Sequence, residues 1–377
     1  MASDPAGLVR IRAEVARALE QFIRGQRAVL AAIGDDMLPW IDVMTDLLAG
    51  GKRLRPAFCY WGWRAAGGGQ GTPEIYAAAA ALELLQASAL VHDDVMDASD
   101  TRRGRPAVHR QFAARQAAAG FAGTAAAFGS GAAILMGDAL LAWTDELYHG
   151  SGMAPEALRR GQPVLNAMRT EVAAGQYLDL VNQVTRSDSV RSAMRVVAFK
   201  TAKYTIERPL QLGAALAGAL PHDLPGVPAG RAVRAHVGTA ARSVPRTCTE
   251  YGMPLGTAFQ LRDDVLGVFG DPARTGKPVT GDISEGKRTV LMALARERAS
   301  AAQLRVLDRH LGDRDLTEAG AAEVRAVITD TGALAECETL ISASVKEAIA
   351  ALDGAPIDDE VRAALAELAV VATNRED

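Results

Sequence analysis

The chain has 377 residues, 49% of them hydrophobic and 5% aromatic, with 41 basic against 45 acidic side chains for a net charge of −4. That is ample apolar material for a large core and no footprint for general nucleic-acid binding, so any anion site must come from local clustering of Lys and Arg. Three widely spaced cysteines, Cys59, Cys248 and Cys337, form no CxxC pair and read as reduced thiols of a cytoplasmic protein. The N-terminus has no signal-type apolar run, and no unbroken stretch reaches the ~18 apolar residues of a membrane span.

Abundant alanine and scarce β-branched or aromatic runs predict helix throughout. Leu8, Ile11, Val15, Leu19, Phe22 and Ile23 recur at helical spacing and predict a first amphipathic helix over 8–33. A second follows Pro39 and ends at Ala49-Gly50-Gly51. A third opens at Pro56 and stops at Gly67-Gly68-Gly69. A long alanine- and leucine-rich helix covers 74–97, and a polar loop follows over 99–106. Further helices are predicted at 107–119, 130–149, 155–182, 188–219, 231–244, 250–269, 288–310, 316–331, 333–352 and 358–371. Loops fall at 150–152, 221–226 and 270–286, and Pro245 predicts an interruption near 243–246. With no period-2 segment and no tandem repeat, the pattern predicts one all-α domain, a large helical bundle.

Twice an apolar helix runs into paired aspartates. The first pair lies in His92-Asp93-Asp94-Val95-Met96-Asp97, where Asp93 and Asp97 share a helix face and Asp94 sits about 100° around. The second closes Gln260-Leu261-Arg262-Asp263-Asp264. A single acidic pair on a helix is usually a solvated face or a cap. Two of them, each at the end of an apolar helix, call for cations to neutralise them. The ligands are hard oxygens with no His or Cys cluster, which points to Mg²⁺ rather than zinc.

Basic motifs accompany both. Gly50-Gly51-Lys52-Arg53-Leu54-Arg55-Pro56 sets three cations beside paired glycines, and Lys52 and Arg55 can converge on one phosphate. Arg102-Arg103-Gly104-Arg105 follows the first aspartates, and arginine forks suit diphosphate oxygens. Lys200-Thr201 sits within a helical run, and Lys277, Lys287 and Arg288 follow the second aspartates. Arg10, Arg12, Arg159 and Arg160 read as solvated surface. The stretch 281–288 nearly fits a nucleotide phosphate loop, but position 288 is Arg and no strand precedes it. No GxSxG or HExxH context surrounds any histidine.

Taken in order, GGKRLRP at 50–56, HDDVMD at 92–97, RRGRP at 102–106, GQYLD at 175–179, KTAKY at 200–204, FQLRDD at 259–264 and GKRT at 286–289 resemble the trans-isoprenyl diphosphate synthases (polyprenyl synthetases). The resemblance spans about 40–295, and DDVLGVFGDPARTGKP at 263–278 looks like actinobacterial geranylgeranyl diphosphate synthases. It implies an isoprenoid-synthase bundle with a central active-site cavity, dependence on Mg²⁺ and a homodimer. It further implies that Lys52, Arg55, Gln86 and Arg103 hold isopentenyl diphosphate. Asp93, Asp97 and Asp263, with Asp94 and Asp264 in support, would bind Mg²⁺ on an allylic diphosphate. Arg102, Lys200, Thr201, Gln260, Lys277 and Lys287 would contact that diphosphate, and Asp93, Asp97, Asp263 and Lys200 would carry the catalysis. One position departs from the family pattern: the second motif is usually DDxxD, and its last place here is Gly267, with Asp271 four residues on.

The product tail is expected to grow along the helix that carries the first aspartates. Leu85, Ser88 and Ala89 lie one to two turns before Asp93, and small side chains at 88 and 89 leave that level open. In the family it resembles, bulky aromatics there form a floor that stops growth at fifteen carbons, so the resemblance implies a longer product, geranylgeranyl diphosphate. Two rivals stay open. A class I terpene cyclase would not need GGKRLRP and would carry an Asn/Ser/Glu second motif. A weak partner subunit of a heteromeric synthase is kept alive by Gly267.

Overall fold

The structure, a computed structural model, describes residues 4–221, 224, 243–270 and 281–373. The predicted helix at 231–244, most of the 221–226 loop, Asp271 and Lys277 lie outside the described residues. Packing divides the chain into two compact units, Met1–Gly161 with Gly213–Gly218, and Gln162–Leu212 with Ala219–Asp377.

The first unit contains α1 (Leu8–Ile33), α2 (Leu38–Ala49), α3 (Leu54–Ala65), α4 (Pro73–Met96), α5 (Val108–Ala119) and α6 (Ala125–His149). The stripe Leu8, Ile11, Val15, Leu19 and Ile23 is the buried face of α1, as its spacing predicts. Its core is built on Ile41, Met44, Phe58, Leu82, Leu84, Met136 and Leu140, all fully buried. Each such side chain contributes roughly 1.5–3 kcal/mol on burial. Helix α4 packs on α1, α3 and α6. It is buried on nearly every side, which explains its almost continuous apolar sequence. Gly137 of α6 makes room for His92, whose Nε2 lies 3.1 Å from the carbonyl oxygen of Ile134. The histidine of HDDVMD thus ties α4 to α6.

Composition understated one property. Helices α4 and α6 are both long and apolar enough to cross a membrane. The most apolar stretch of α4 is 72% buried, as a core helix should be, but that of α6 is only 28% buried, and α6 exposes Phe128, Ile134, Leu135 and Leu141.

The second unit is centred on α10 (Val244–Phe269), which packs against α15 (Ala333–Leu352) and a π-helical segment, Val197–Glu207. Its core joins Leu261, Val265, Ile283, Leu291, Leu307, Val324, Ile328 and Cys337. Helices α7 (Pro155–Val184) and α9 (Arg208–Leu216) each begin in one unit and end in the other. Short α8 (Val190–Val196) precedes the π segment, and α11 (Gly281–Ser284), α12 (Val290–Arg298), α13 (Ala301–His310), α14 (Glu318–Asp330) and α16 (Asp359–Thr373) complete the described α-helices.

Several boundaries differ from expectation for local reasons. The 288–310 helix is two, because Ser300 and Gln303 form a capping box that starts α13. Pro245 opens α10 rather than interrupting a helix, since its missing N–H costs nothing in a first turn. The 188–219 helix contains eleven π-helical residues that no periodicity announced. The 99–106 loop holds a two-residue antiparallel ribbon, Thr101–Arg102 (β1) with Arg105–Pro106 (β2). Arg103 and Gly104 both take positive φ in its turn, as the mirror-image hairpin turn requires. Arg12 and Arg160 are not free surface. Arg12 donates to the carbonyl of Lys52 (3.1 Å), and Arg160 donates to those of Ala215 (3.1 Å) and Leu216 (2.8 Å).

Candidate active site

In the first unit, the Gly50–Arg55 strap is organised by a residue the motif reading left without a role. Arg53 adopts a left-handed backbone conformation, is 6% exposed, and pairs with buried Glu83 of α4 and the carbonyl of Leu48. A buried arginine needs such a partner. Burying Arg53 leaves its neighbours Lys52 and Arg55 partly exposed. The Arg103 guanidinium lies along Gly50 and Gly51 and donates to the carbonyl of Leu47 (3.1 Å). A Cβ on Gly51 would come within 3.1 Å of it. Burial, and then the neighbouring arginines Arg53, Arg102 and Arg55, lower the pKa of Arg103, while Glu83 raises it. Glu83 therefore offsets the charge of Arg53, with which it pairs, and of nearby Arg103. Gln86, one turn beyond it, is partly buried, and its Oε1 has no hydrogen-bond partner among the described residues.

The same helix ends at the first aspartates. Asp97 is the C-cap of α4, and its N–H donates to the carbonyl of Asp93 (2.8 Å). Asp93 is partly exposed, while Asp94 and Asp97 are buried. Arg102, carried by the ribbon, donates to Asp94 Oδ1 (Nε, 2.9 Å) and to Asp93 Oδ2 (3.5 Å). Burial pushes the Asp94 carboxyl pKa up against the pull of Arg102. Asp94, expected to support a metal, is thus already paired within the protein, and so is Arg102, expected at a diphosphate. Further down α4, Leu85 and Ser88 are buried and Ala89 is partly exposed.

In the second unit the π segment carries Lys200 and Thr201. It packs closely because glycines face it. A Cβ on Gly175 would lie 2.4 Å from Lys200 N, and one on Gly256 would lie 2.4 Å from Ala202 Cα. At its far end Glu207 accepts from Lys203 (3.0 Å), and the next residue, Arg208, forms a bidentate pair with Glu171 (2.7 and 2.6 Å). Held this way, Lys200 Nζ reaches Asp179 of the GQYLD motif at 2.7 Å. Thr201 donates to Gln260, and Gln260 donates to Asp264 Oδ1 (2.8 Å). Asp263 is partly exposed. Asp264 is buried, and burial pushes its pKa up to about 7, with the nearby Asp282 adding to the rise. Arg262, between the motif's apolar and acidic parts, forms a two-pronged pair with Glu338 (2.6 and 2.8 Å) and is structural. Lys287 lies 3.3 Å from Asp282 and 2.8 Å from Glu285.

Glu83, Asp179 and Asp282 are the residues that motif reading missed. Only Asp179 had a signal, its place at the end of GQYLD. Among the described residues no three His, Cys, Asp or Glu side chains converge closely enough to hold an ion unaided. What the two sites offer is hard carboxylate oxygen short of a full shell. That donor set suits an ion that keeps water and shares ligands with a phosphate.

The polyprenyl synthetase family profile matches residues 39–328. The chain belongs to the polyprenyl synthetase family. It is a prenyltransferase, a trans-prenyl diphosphate synthase. It is 30% identical over 356 residues to a geranylgeranyl diphosphate synthase of Mycobacterium tuberculosis, covering 92% of this chain and 88% of that one. It is 31% identical over 315 residues to a geranylfarnesyl diphosphate synthase of Aeropyrum pernix, covering 82% and 86%. Among solved structures, a geranylgeranyl pyrophosphate synthase of Corynebacterium glutamicum, complexed with isoprenyl diphosphate and magnesium, is 40% identical. It superposes with a TM-score of 0.89 over 98% of this chain and 99% of that one. The fold is that of the isoprenoid synthases, all-α as the sequence predicts.

Proposed function

We propose that this synthase condenses isopentenyl diphosphate with an allylic diphosphate, forming geranylgeranyl diphosphate and releasing pyrophosphate. The observation that carries the reading is a basic cluster, Arg53, Arg55 and Arg102 near Arg103 with Arg53 paired to Glu83, whose Arg102 also pairs with the acidic end of α4. Cations that bind a diphosphate directly, beside carboxylates that bind one through a metal, suit two diphosphate substrates. The names of the Mycobacterium and Corynebacterium relatives support the product.

In this reading Lys52, Arg55, Gln86 and Arg103 hold isopentenyl diphosphate. Arg102, Lys200, Thr201, Gln260, Lys277 and Lys287 bind and orient the allylic diphosphate. The charges of Arg102 and the three lysines, with hydrogen bonds from Thr201 and Gln260, stabilise the negative charge that grows on it as the allylic C–O bond breaks. Asp93, Asp97 and Asp263 would hold Mg²⁺, which would supply Lewis-acid neutralisation of the leaving diphosphate. The double bond of isopentenyl diphosphate attacks the allylic cation, and a proton then leaves to the departing diphosphate. Apolar walls keep out the water that would trap the cation as an alcohol. Leu85, Ser88 and Ala89 set how far the tail grows.

We read the chain as one cytoplasmic domain, 1–377, because its two units are not consecutive in sequence and share continuous helices. The exposed apolar residues of α6 support a homodimer that covers them. The functional test uses the purified chain alone, with Mg²⁺, radiolabelled isopentenyl diphosphate and an allylic partner. A linear prenyl diphosphate is expected. A cyclic hydrocarbon, or no product, overturns the reading.

A further inference from the structure

Three guanidinium groups hold carbonyls in and around the Gly50–Arg55 strap. Arg103 donates to Leu47 (3.1 Å) and Arg53 to Leu48. Those carbonyls belong to the last turn of α2, where a helix end leaves them without partners. The third group, Arg12, is set apart from the other two. Its Nε donates to the carbonyl of Lys52 (3.1 Å), inside the strap itself. It comes from α1, which ends before residue 39, where the family profile begins.

The place of Arg12 is fixed by how α1 docks. It sits beside the buried stripe of Leu8, Ile11 and Val15. Just before α1, the carbonyl of Ala6 accepts from Trp61 Nε1 of α3 (3.0 Å), and both residues are buried. The two hydrogen bonds tether α1 to α3 and to the strap that leads into it. The carbonyl that Arg12 holds belongs to the peptide joining Lys52 to Arg53. Arg53 leaves that peptide with a φ of 54°, a left-handed conformation that a residue with a Cβ adopts only at a cost. In that conformation Arg53 pairs inward with Glu83, while Lys52 and Arg55 stay partly exposed. Holding the peptide plane therefore holds the directions in which the strap's cations leave the backbone.

We propose that Arg12 is a positioning residue of the isopentenyl diphosphate site, holding the Lys52–Arg53 peptide so that Lys52 and Arg55 face the diphosphate. This rests on the roles given to Lys52 and Arg55 above. Arg12 acts through the backbone of the strap and not on the substrate. Its loss should therefore weaken one substrate and spare the other, because the allylic diphosphate is assigned to Arg102 and to residues of the second unit.

The test measures the KM of each substrate for the purified full chain with Mg²⁺, and circular dichroism checks that every variant folds. Arg12→Met keeps an apolar stem and removes the donor. It should raise the KM for isopentenyl diphosphate about tenfold, the scale of one hydrogen bond from a charged group. The allylic KM should stay within about twofold of wild type. Arg12→Lys keeps the charge but not the planar fork, and its isopentenyl KM should fall between the two. Trp61→Phe loosens the other tether of α1, and should lower the thermal midpoint without moving the isopentenyl KM. A wild-type isopentenyl KM in Arg12→Met, or in Arg12→Lys if Arg12→Met does not fold, overturns the inference. An equal rise in both KM values, or the same isopentenyl rise in Trp61→Phe, overturns it too, because Arg12 would then serve only the docking of α1. If the wild-type chain turns over neither substrate, the synthase reading fails and this inference falls with it.

Discussion

At the first aspartate site every carboxylate comes from one helix end, and the arginine that pairs with Asp93 and Asp94 follows within nine residues. At the second, Asp264 comes from α10, Asp179 from α7, Asp282 from α11 and Lys200 from the π segment. A short sequence motif suffices to set up the first arrangement. The second depends on how four elements pack, and where its motif carries Gly267 the side chain of Asp282 lies against the bare helix. The supports differ too. Near the first site a buried ion pair, Arg53 with Glu83, organises the cation strap, whereas at the second, glycines let a π-helix come close.

Breaking each support should show the contrast. Glu83→Ala strands Arg53 as an unpaired buried charge and should cost about 3–5 kcal/mol in urea denaturation. A loss below ~1 kcal/mol would mean Arg53 finds another partner or moves to water. Gly256→Ala forces a methyl against Ala202 and should cost about 1–3 kcal/mol. It should also weaken binding of the allylic substrate, because Thr201 is the next residue back. Stability loss without a change in the allylic KM would separate the π segment from the site. Ser88→Phe touches neither support. It should shorten the product with a smaller effect on rate, and an unchanged product distribution would remove position 88 as the gauge of chain length.

The same contrast explains what was legible in the sequence. The amphipathic α1, the apolar α4 and the first aspartates were readable, because helical spacing and contiguous motifs are local properties. The buried role of Arg53 was not, since GGKRLRP shows three equivalent cations and only the fold sends the middle one inward to Glu83. The π segment was hidden because Val197–Glu207 has ordinary helical composition, and the glycines that let it pack closely, Gly175, Gly252 and Gly256, lie in other helices. Asp282 was hidden for a related reason. The sequence displays the gap at Gly267, but the acid that meets it lies fifteen residues on, in a segment that resembled a failed phosphate loop.

The central claim is that both aspartate sites serve one chemical step, and a double-mutant cycle on turnover tests it most directly. Asp97→Ala and Asp263→Ala should each lower kcat by roughly a thousandfold, the scale of several kcal/mol of lost charge stabilisation. Because groups that act as a unit are not additive, the double variant should be about as slow as the slower single variant. Losses that multiply, or a single variant as fast as the wild type, would contradict the account.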